Sequence, residues 1–444
     1  MKKVITYGTY DLLHFGHIRL LERAKALGDY LIVGVTSDGF DRVRGKINVQ
    51  QTLMERIEAV KATGIADQIV IEEYEGQKID DIKRYNVDIF TVGSDWIGKF
   101  DYLNEYCKVV YLDRTQGISS SELRADKRKE RIGLVGGSLN AMAMLEKFEK
   151  ESHYVNGVEI SGICTYNKDI AINLKNLPCV TEQYEELLSV SDALYIISQP
   201  ENHYEHIKKA LEHGKHVLCE SPITTEVSQL QELWDLAERN HCILMDGVKT
   251  AYSIAYNRML VLAKSGRIGE IVSVDATCTS LLDFAKFDIT KCWNSISAWG
   301  PTAMLPIFQL LGTKYDSCSI VSKMHSESDN FDLFTKIAFE YPTAVASLKV
   351  AQGVKSEGEL VISGTKGYIY IPAPWWKTDY FELRYENPAE NKRYFYQLEG
   401  EGIRNEIVSF VKAIQGIEFS YIGKDVSKEI VHLTERFKNN RHRL

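Results

Sequence analysis

The sequence predicts an α/β protein in which a parallel-sheet domain precedes a second strand–glycine–helix domain and an α+β domain with a large, mostly antiparallel sheet. Three observations support this. Short β-rich runs alternate with amphipathic stretches up to residue 128, the alternation restarts after a charged run, and longer β-rich runs follow residue 250. Strands separated by helices of this length form parallel sheets through crossover connections. We therefore expect domains at 1–128, 131–250 and 251–444.

Composition narrows the classes of function. The chain is 44% hydrophobic with a formal net charge of -8, which argues against a nucleic-acid binder because such proteins need a clustered basic face. No apolar stretch approaches the length of a membrane span, about 18 residues, so we expect a cytoplasmic protein. Eight cysteines occur without a CxxC pair. They are expected to be reduced core residues rather than disulfides or zinc ligands.

The first domain is predicted from five β-rich runs and the helical stretches between them. The runs are "KKVITYG", "DYLIVGVT", "QIVIEE", "DIFTVG" and "KVVYLD". The helical stretches "IRLLERAKALG" and "TLMERIEAVKATG" carry apolar residues at helical spacing. The run "LRADKRKER" then marks a boundary near 127–131, because "RIGLVGG" restarts the pattern directly after it.

The stretch "GTYDLLHFGH" follows the first predicted strand. The strand is expected to end at Tyr7, Gly8 permits a tight turn, and the helix is expected to start near Gly16 or His17. A helix N-terminus presents unpaired N–H groups and a positive dipole end to a phosphate. His14 and His17 flank that terminus and could stabilise a developing negative charge. Helix capping or core packing is the alternative for an isolated pair of this kind.

Four further motifs accompany this stretch in order. The segment "YGTYDLLHFGHIRLLERAKALGDYLIVGV" resembles the start of the cytidylyltransferases related to glycerol-3-phosphate cytidylyltransferase, whose hallmark is an HxGH motif. The likeness continues through "SDGFDRVRGK", "MERIEAVKA", "VGSDWIGKFD" and "LDRTQGISSSELR". It covers about residues 1–128, and the resemblance implies that this part is a nucleotidyltransferase domain.

The resemblance implies in-line attack of a substrate phosphate on the α-phosphorus of CTP, with release of pyrophosphate and with Mg²⁺ as cofactor. By matching positions, the catalytic residues would be His14, His17, Lys46 and Arg114. Asp11 would meet the metal. The implied nucleotide contacts are Gly8, Thr9, Asp11, Gly16, Arg44, Gly93, Asp95, Arg114, Thr115, Gly117, Ile118, Ser119 and Ser120. Glycerol 3-phosphate is the leading acceptor, with ribitol phosphate or another polyol phosphate as the alternative.

The second half carries its own set of motifs. "RIGLVGGSLNAMAMLEKF" has the layout of a dinucleotide-binding turn, and "ALYIISQPENHYEHIKKALEHGKHVLCESP" resembles the Gfo/Idh/MocA oxidoreductases. "RIGEIVSVDAT" and "MLPIFQLLG" also fit that family, so the likeness covers roughly 131–444. It implies a Rossmann domain followed by the family's second domain. The implied NAD(P) contacts are Gly136, Ser138, Pro200 and Glu220.

Several positions depart from that family's pattern. Ser138 replaces the second glycine of the fingerprint, where a side chain crowds the pyrophosphate. Thr165 falls where an acidic residue would hold the adenosine ribose, and Ser221 replaces the lysine that usually orients substrate. Ala298 and Thr302 fall roughly where the family has an acidic residue and a catalytic histidine.

A substitute proton donor is considered for the second half. Lys249, Tyr252 and His203 lie in neighbouring segments, and Lys249 is the candidate we favour. An ordinary surface or packing residue is the alternative for each of the three. Because the departures remove a cofactor contact and the usual proton donor, we expect NAD(P)H to bind weakly or not at all, with NADPH the better candidate.

Two hypotheses for the whole chain follow. The leading one is a cytidylyltransferase whose oxidoreductase-like half is silent or altered. The alternative is a bifunctional enzyme whose second half reduces a keto-phosphate with NAD(P)H to supply the polyol phosphate, toward a cell-surface polymer. A nucleotide-sensing module without enzymatic activity is disfavoured because the transfer-site residues are present. Relatives of both halves usually assemble, so we expect a homo-oligomer.

Overall fold

The computed structural model divides the chain into two compact units. The first comprises Met1–Lys129 with Val155–Gly157, and the second comprises Glu130–Tyr154 with Val158–Leu444. The structure describes residues 1–43, 49, 51–74, 76–113, 129–155, 157–284, 288–289, 292–326, 328–377, 379–396, 398–416 and 420–439.

The first unit contains a five-stranded parallel sheet in the order β3-β2-β1-β4-β5. Its strands are β1 Lys3–Gly8, β2 Tyr30–Thr36, β3 Gln68–Glu72, β4 Ile89–Gly93 and β5 Lys108–Leu112. The helices described in this unit are α1 Phe15–Lys25, α2 Asp38–Val43, α3 Leu53–Ala62 and α4 Gln77–Tyr85. The strand order reverses direction between β1 and β4, and open parallel sheets bind ligands outside the carboxyl ends at such a point.

Alternate residues of the central strands fill a separate core on each face of this sheet. Val4 packs in one cluster with Leu21 of α1 and Val60 of α3. The adjacent Ile5 packs in the other cluster, with Ile82 of α4. Both faces are covered, so the strands read as continuous apolar runs in the sequence. These two cores hold the end of β1, the start of α1 and the end of β4 in place.

The second unit begins with a six-stranded parallel sheet in the order β11-β10-β9-β6-β7-β8. Its strands are β6 Glu130–Val135, β7 Val158–Cys164, β8 Val180–Thr181, β9 Ala193–Ile196, β10 His216–Glu220 and β11 Leu244–Gly247. Its helices are α5 Leu139–Ser152, α6 Lys168–Asn173, α7 Tyr184–Val190, α8 Pro200–Glu212 and α9 Val227–Arg239. The sheet reverses strand order between β6 and β9, as in a doubly wound Rossmann domain.

An eight-stranded sheet follows in the same unit, in the order β13-β14-β15-β12-β16-β17-β18-β19. Only the β12–β15 pair in it is parallel. Its strands are β12 Ile271–Thr279, β13 Ser317–His325, β14 Ser328–Glu340, β15 Val345–Ala351, β16 Leu360–Gly364, β17 Tyr368–Ile371, β18 Tyr380–Arg384 and β19 Lys392–Phe395. The helices are α10 Ile254–Lys264, α11 Ser295–Leu311, α12 Ile403–Ile414 and α13 Lys424–Asn439. The predicted fold class is confirmed.

The pairing of the cysteines and the length of the apolar helices bear on two further predictions. All eight cysteines are free, and five of them are buried, which fits their expected role as small core residues. Among the described helices, none is long and apolar enough to cross a membrane. The described residues also contain no group of three or more histidine, cysteine or acidic side chains arranged to hold a metal ion.

Candidate functional site

The two histidines of the HxGH motif form a capping box at the start of α1. His14 is the N-cap residue, and its Nδ1 accepts a hydrogen bond from the Gly16 N–H at 3.1 Å. The His17 Nδ1 accepts from the His14 N–H at 3.4 Å. The two rings stack with centroids 4.0 Å apart. The helix begins at Phe15, one residue earlier than expected, because the imidazoles satisfy these terminal N–H groups.

This capping arrangement determines which nitrogen of each neutral ring carries the proton. A nitrogen that accepts from a backbone N–H carries no proton, so the neutral imidazole bears its proton on Nε2. The protonated nitrogen of each ring therefore lies on the side away from its capping bond. Helix capping, weighed as the alternative to a functional role, is therefore present and compatible with phosphate binding at the same helix end.

The loop between β1 and α1 is held by Gln51. The Gln51 N–H donates to Asp11 Oδ1 at 3.0 Å, and its side-chain oxygen accepts from the Leu12 N–H at 2.7 Å. Tyr10 and Leu12 both adopt positive φ, at 54° and 49°. Such backbone costs free energy in non-glycine residues and is retained where surrounding contacts impose it. Asp11 is 1% exposed, so its carboxylate is fixed beside the helix terminus.

Arg56 of α3 is a functional-site residue that the sequence analysis missed. Its side chain is fully buried and donates to the Thr9 carbonyl at 2.7 Å and the Thr36 carbonyl at 2.8 Å. It also contacts Asp41 at 3.2 Å and pairs with Asp38. A single guanidinium thus ties the β1 end, the β2 end and α2 together. The sequence did contain a signal for this role, because Arg56 lies on the same helical face of "MERIEAVKA" as the apolar Val60.

The other side of this crevice is the end of β4. Gly93 is the last residue of β4, and a Cβ there would meet no atom within 4 Å. Asp95 follows in a short 3-10 helix and is exposed. The Trp96 ring lies 5.8 Å from Phe100 and 5.4 Å from the Lys99 ammonium. Among the described residues, Gly93 has open space beside it and the Asp95 side chain is exposed, so both face the end of β4 where a ligand is expected.

Eight of the sequence-predicted residues lie outside the described part of the chain. They are Arg44, Lys46, Arg114, Thr115, Gly117, Ile118, Ser119 and Ser120. The structure places the other predicted residues in two groups. One stretch runs from the end of β1 into the first turn of α1 and contains Gly8, Thr9, Asp11, His14, Gly16 and His17. Gly93 and Asp95 lie at the end of the neighbouring strand β4. Mg²⁺ is usually held by one or two carboxylates together with substrate phosphates. Asp11 fits that role as a fixed carboxylate, and it needs no larger acidic cluster.

In the second unit, the turn after β6 contains the implied pyrophosphate site. A Cβ at Gly136 would lie 3.0 Å from the Ile197 carbonyl oxygen, so the strand and its neighbour approach closely there. Ser138 is the N-cap of α5, and its Oγ accepts from the Ala141 N–H at 3.2 Å. This hydroxyl occupies a donor that a pyrophosphate would use. Ser138 therefore obstructs the turn both by bulk and by hydrogen bonding.

The ends of β9 and β10 carry Pro200 and Glu220. Pro200 begins α8, where its fixed φ suits the first helical position. The Tyr195 hydroxyl donates to Glu220 Oε1 at 2.6 Å. Burial raises the pKa of Glu220 to about 7, against the opposing effects of the Tyr195 hydrogen bond and the charge of Lys249. Glu220 is therefore a buried carboxyl group that gains and loses a proton near neutral pH.

Two further acidic side chains surround Glu220. Asp246 lies on β11, and burial raises its pKa to about 6. Glu406 of α12 is fully buried, and neither of its carboxylate oxygens has a hydrogen-bond partner among the residues that the structure describes. Burial, together with the charge of Glu220, raises the Glu406 pKa well above its usual value. The sequence analysis missed Glu406, which follows no motif.

The candidate proton donors of the second unit are engaged in other contacts. Lys249 Nζ lies 2.9 Å from Glu401 Oε2 and 3.7 Å from Met144 Sδ. The Tyr252 hydroxyl donates to the Asp246 carbonyl at 3.0 Å. His203 is fully buried between the Pro222 and Ser198 carbonyls, both 2.9 Å away, and burial lowers its pKa to about 4. For Tyr252 and His203 these contacts favour the packing alternative.

The remaining departures from the oxidoreductase pattern have clear positions. Thr165 follows β7, and its Oγ1 accepts from the Asn167 N–H at 3.1 Å. Ser221 is buried beside the end of β10. Ala298 and Thr302 lie on α11, which packs on β12 and β15.

These features define a nucleotidyltransferase-type parallel-sheet domain joined to a Rossmann-type domain with an antiparallel second sheet. Comparison with known families agrees. The cytidylyltransferase-like family matches residues 5–126, and the oxidoreductase family with an NAD-binding Rossmann fold matches residues 131–248.

Glycerol-3-phosphate cytidylyltransferase of Bacillus spizizenii is 48% identical over 126 residues, covering 28% of this chain and 97% of the relative. The Staphylococcus aureus enzyme of that name is 44% identical, covering 28% of this chain and 95% of the relative. The chain belongs to the cytidylyltransferase family through its first unit. It is a nucleotidyltransferase whose residues 131–248 match the oxidoreductase family with an NAD-binding Rossmann fold.

The second unit also resembles solved oxidoreductases. A 3-ketoreductase from Actinomadura kijaniata, crystallised with NADP and TDP-benzene, superimposes with a TM-score of 0.61 at 16% identity. The match covers 71% of this chain and 97% of that chain. At this identity the likeness establishes the fold, and the site must be argued from its own residues.

Proposed function

We propose that the first unit transfers the cytidylyl group of CTP to glycerol 3-phosphate, forming a CDP-polyol and releasing pyrophosphate. The paired histidines at the α1 terminus are the observation that carries this proposal. Their capping bonds use Nδ1 as the acceptor, so the proton of each neutral ring lies on Nε2, the nitrogen that would donate to phosphate oxygens. Phosphoryl transfer of this kind needs little covalent chemistry from the protein, so fixed donors and a helix dipole account for the catalysis.

The roles follow from position in the crevice. The substrate phosphate attacks the α-phosphorus in line while the His14 and His17 donors stabilise charge on its oxygens. Asp11 would hold Mg²⁺, which would supply charge neutralisation to the triphosphate. Lys46 and Arg114 supply further positive charge, as the resemblance implies. Arg56 keeps the Thr9 loop in register and is a positioning residue.

For the second unit we propose a retained fold with a weakened nicotinamide site. Ser138 caps α5 where pyrophosphate would bind, and Thr165 supplies no carboxylate for the ribose. The residues therefore do not fit NAD(P) in the usual manner.

A bifunctional enzyme is the second candidate. The likeness to a ketoreductase solved with NADP and the titratable Glu220 at a strand end favour it. In that case the second unit would reduce a keto-phosphate to the polyol phosphate that the first unit consumes.

A substrate panel tests the transferase proposal. Pyrophosphate release would be measured with Mg²⁺ and CTP against glycerol 3-phosphate, ribitol phosphate, choline phosphate and ethanolamine phosphate. Glycerol 3-phosphate is expected to give the highest kcat/KM, and CTP to outcompete ATP, GTP and UTP. A choline or ethanolamine phosphate optimum, or equal use of ATP, would contradict the proposal.

A further inference from the structure

Three lysines in the second unit converge on a single carboxylate. Glu401 Oε1 lies 2.8 Å from Lys147 Nζ and 3.1 Å from Lys377 Nζ, and Oε2 lies 2.9 Å from Lys249 Nζ. The lysines come from α5, from the segment after β11 and from the segment after β17. Three separate parts of the fold thus place their ammonium groups around one small volume.

The charges in this volume do not balance. Three ammonium groups face one carboxylate, while the adjacent Arg404 and Glu151 pair with each other at 2.9 Å. The carboxyl groups nearest Lys249, Glu220 and Glu406, have raised pKa values because they are buried. Although burial opposes it, hydrogen bonds from Lys147 and Lys249 lower the pKa of Glu401 to about 2. Glu401 is therefore ionised, and its single carboxylate is shared by three ammonium groups.

Glu401 is presented by an unusual turn. Gly400, Glu401 and Gly402 all have positive φ, at 60°, 53° and 89°. A Cβ at Gly402 would overlap the Lys249 carbonyl oxygen, so glycine is required for the close approach. Left-handed backbone at a glutamate costs free energy. The contacts with the three lysines offset this cost, and their loss would favour movement of the turn.

The geometry suits a different anion better. A carboxylate has two oxygens, so Lys147 and Lys377 share Oε1. A phosphate monoester has three terminal oxygens, one for each ammonium group, and a second negative charge. The site is partly open, with Glu401 26% and Lys377 37% exposed at the side chain. It adjoins the carboxyl ends of β10 and β11, where doubly wound sheets bind ligands.

We propose that Lys147, Lys249 and Lys377 form a binding site for a phosphate monoester, and that the Glu401 side chain occupies this site in its absence. The ligand displaces Glu401 and bonds to the three ammonium groups. This site lies in the second unit and does not depend on the transferase function proposed for the first. Lys249 is then a phosphate-binding residue of that unit.

Calorimetric titration of the full chain with inorganic phosphate, without Mg²⁺ or CTP, tests the proposal. A site occupied by its own side chain binds more weakly in proportion to that occupancy. Glu401→Gln should therefore tighten phosphate binding by about tenfold if Glu401 fills the site in about nine molecules of ten. Glu401→Asn, which suits left-handed backbone, should do the same. Adding Lys377→Ala to Glu401→Gln should abolish the gain.

Glu382→Gln is the matched control, because Glu382 lies between Arg384 and Arg393 on the outer strands. It removes the same charge from a similar network and should leave phosphate affinity unchanged. Phosphate binding to the first unit is common to all variants and cancels in the comparison. Unchanged affinity in folded Glu401→Gln and Glu401→Asn chains would overturn the proposal. An equal gain in Glu382→Gln would also overturn it, since net charge alone would then explain the effect.

Discussion

At the scale of single residues, the HxGH histidines serve two purposes at once. Each Nδ1 accepts from a backbone N–H at the start of α1, so the proton of each neutral ring lies on Nε2. A capping residue is normally serine, threonine, aspartate or asparagine, which would satisfy the helix without offering a second donor. The two nitrogens of imidazole allow one side chain to hold the helix end and contact phosphate.

His17→Asn should separate these purposes. The asparagine oxygen stands in the position of Nδ1 and keeps the capping bond, while the Nε2 donor is lost. Removing one such transition-state donor typically lowers turnover by about 10²–10³-fold. His17→Ala should lose both, with turnover at least about 10²-fold lower. Pyrophosphate release and the thermal midpoint would be measured in parallel. Near-normal turnover in a folded His17→Ala chain would contradict the assignment.

Arg56→Ala should destabilise the first unit. The substitution removes the Arg56 guanidinium from the fully buried Asp41 carboxylate, and breaking a buried ion pair costs about 3–5 kcal/mol. Turnover should also fall because the Thr9 loop loses its anchor. Urea unfolding gives the free energy. The control is Arg19→Ala, whose pair with Glu22 is about half exposed and should contribute less than about 1 kcal/mol.

At the scale of elements, the start of α5 carries the proposal of a weakened nicotinamide site. The Ser138 hydroxyl accepts from the Ala141 N–H in the turn that presents N–H groups to pyrophosphate in a dinucleotide-binding domain. We therefore propose that this side chain weakens dinucleotide binding. Gly136 keeps the close strand approach, so the turn itself is intact.

Ser138→Gly should tighten NADPH binding by the full chain, because glycine removes the bulk and frees the Ala141 N–H. Glycine at an N-cap costs only a few tenths of a kcal/mol in helix stability. Ser138→Ala keeps a Cβ in the turn and should improve binding less. Nicotinamide fluorescence or calorimetry would measure both variants. Micromolar NADPH binding by the unaltered chain, with hydride transfer to a keto-phosphate, would favour the bifunctional alternative.

The carboxyl group at the end of β10 should make stability depend on pH. Burial raises the Glu220 pKa from 4.5 to about 7, so the folded state binds the proton more tightly than the unfolded state. This contribution is complete below about pH 4.5 and is lost as pH rises through about 7. Glu220→Gln should therefore flatten the fall in thermal midpoint between pH 5 and 8. If the thermal midpoint of Glu220→Gln fell with pH as steeply as that of the unaltered chain, another group would be responsible for the pH dependence.

At the scale of the whole molecule, two units that match different families share one chain. The first is nearly the length of complete relatives, since a 126-residue match covers 97% of the Bacillus spizizenii enzyme. Its cores are formed within its own sheet and helices. A unit with its own core is expected to fold alone.

The fragment comprising residues 1–129 should therefore fold and retain most of the transferase turnover of the full chain. Circular dichroism would establish folding, and pyrophosphate release would establish activity. A folded fragment without activity would show that the second unit contributes to the transfer site.

The sequence by itself determined both folds, because the alternation of strands and helices and the glycine turns between them are local patterns. Such patterns can be recognised from the spacing of apolar residues and glycines along the chain. Motif order also determined the family of each half and the positions of His14, His17 and Ser138. Tertiary structure alone revealed that Arg56 joins three segments of the first unit and that Lys147, Lys249 and Lys377 meet around Glu401. Those lysines are up to 230 residues apart, so no spacing relates them. Folding brings these lysines together, and only in the folded protein do their charges act on the same carboxylate.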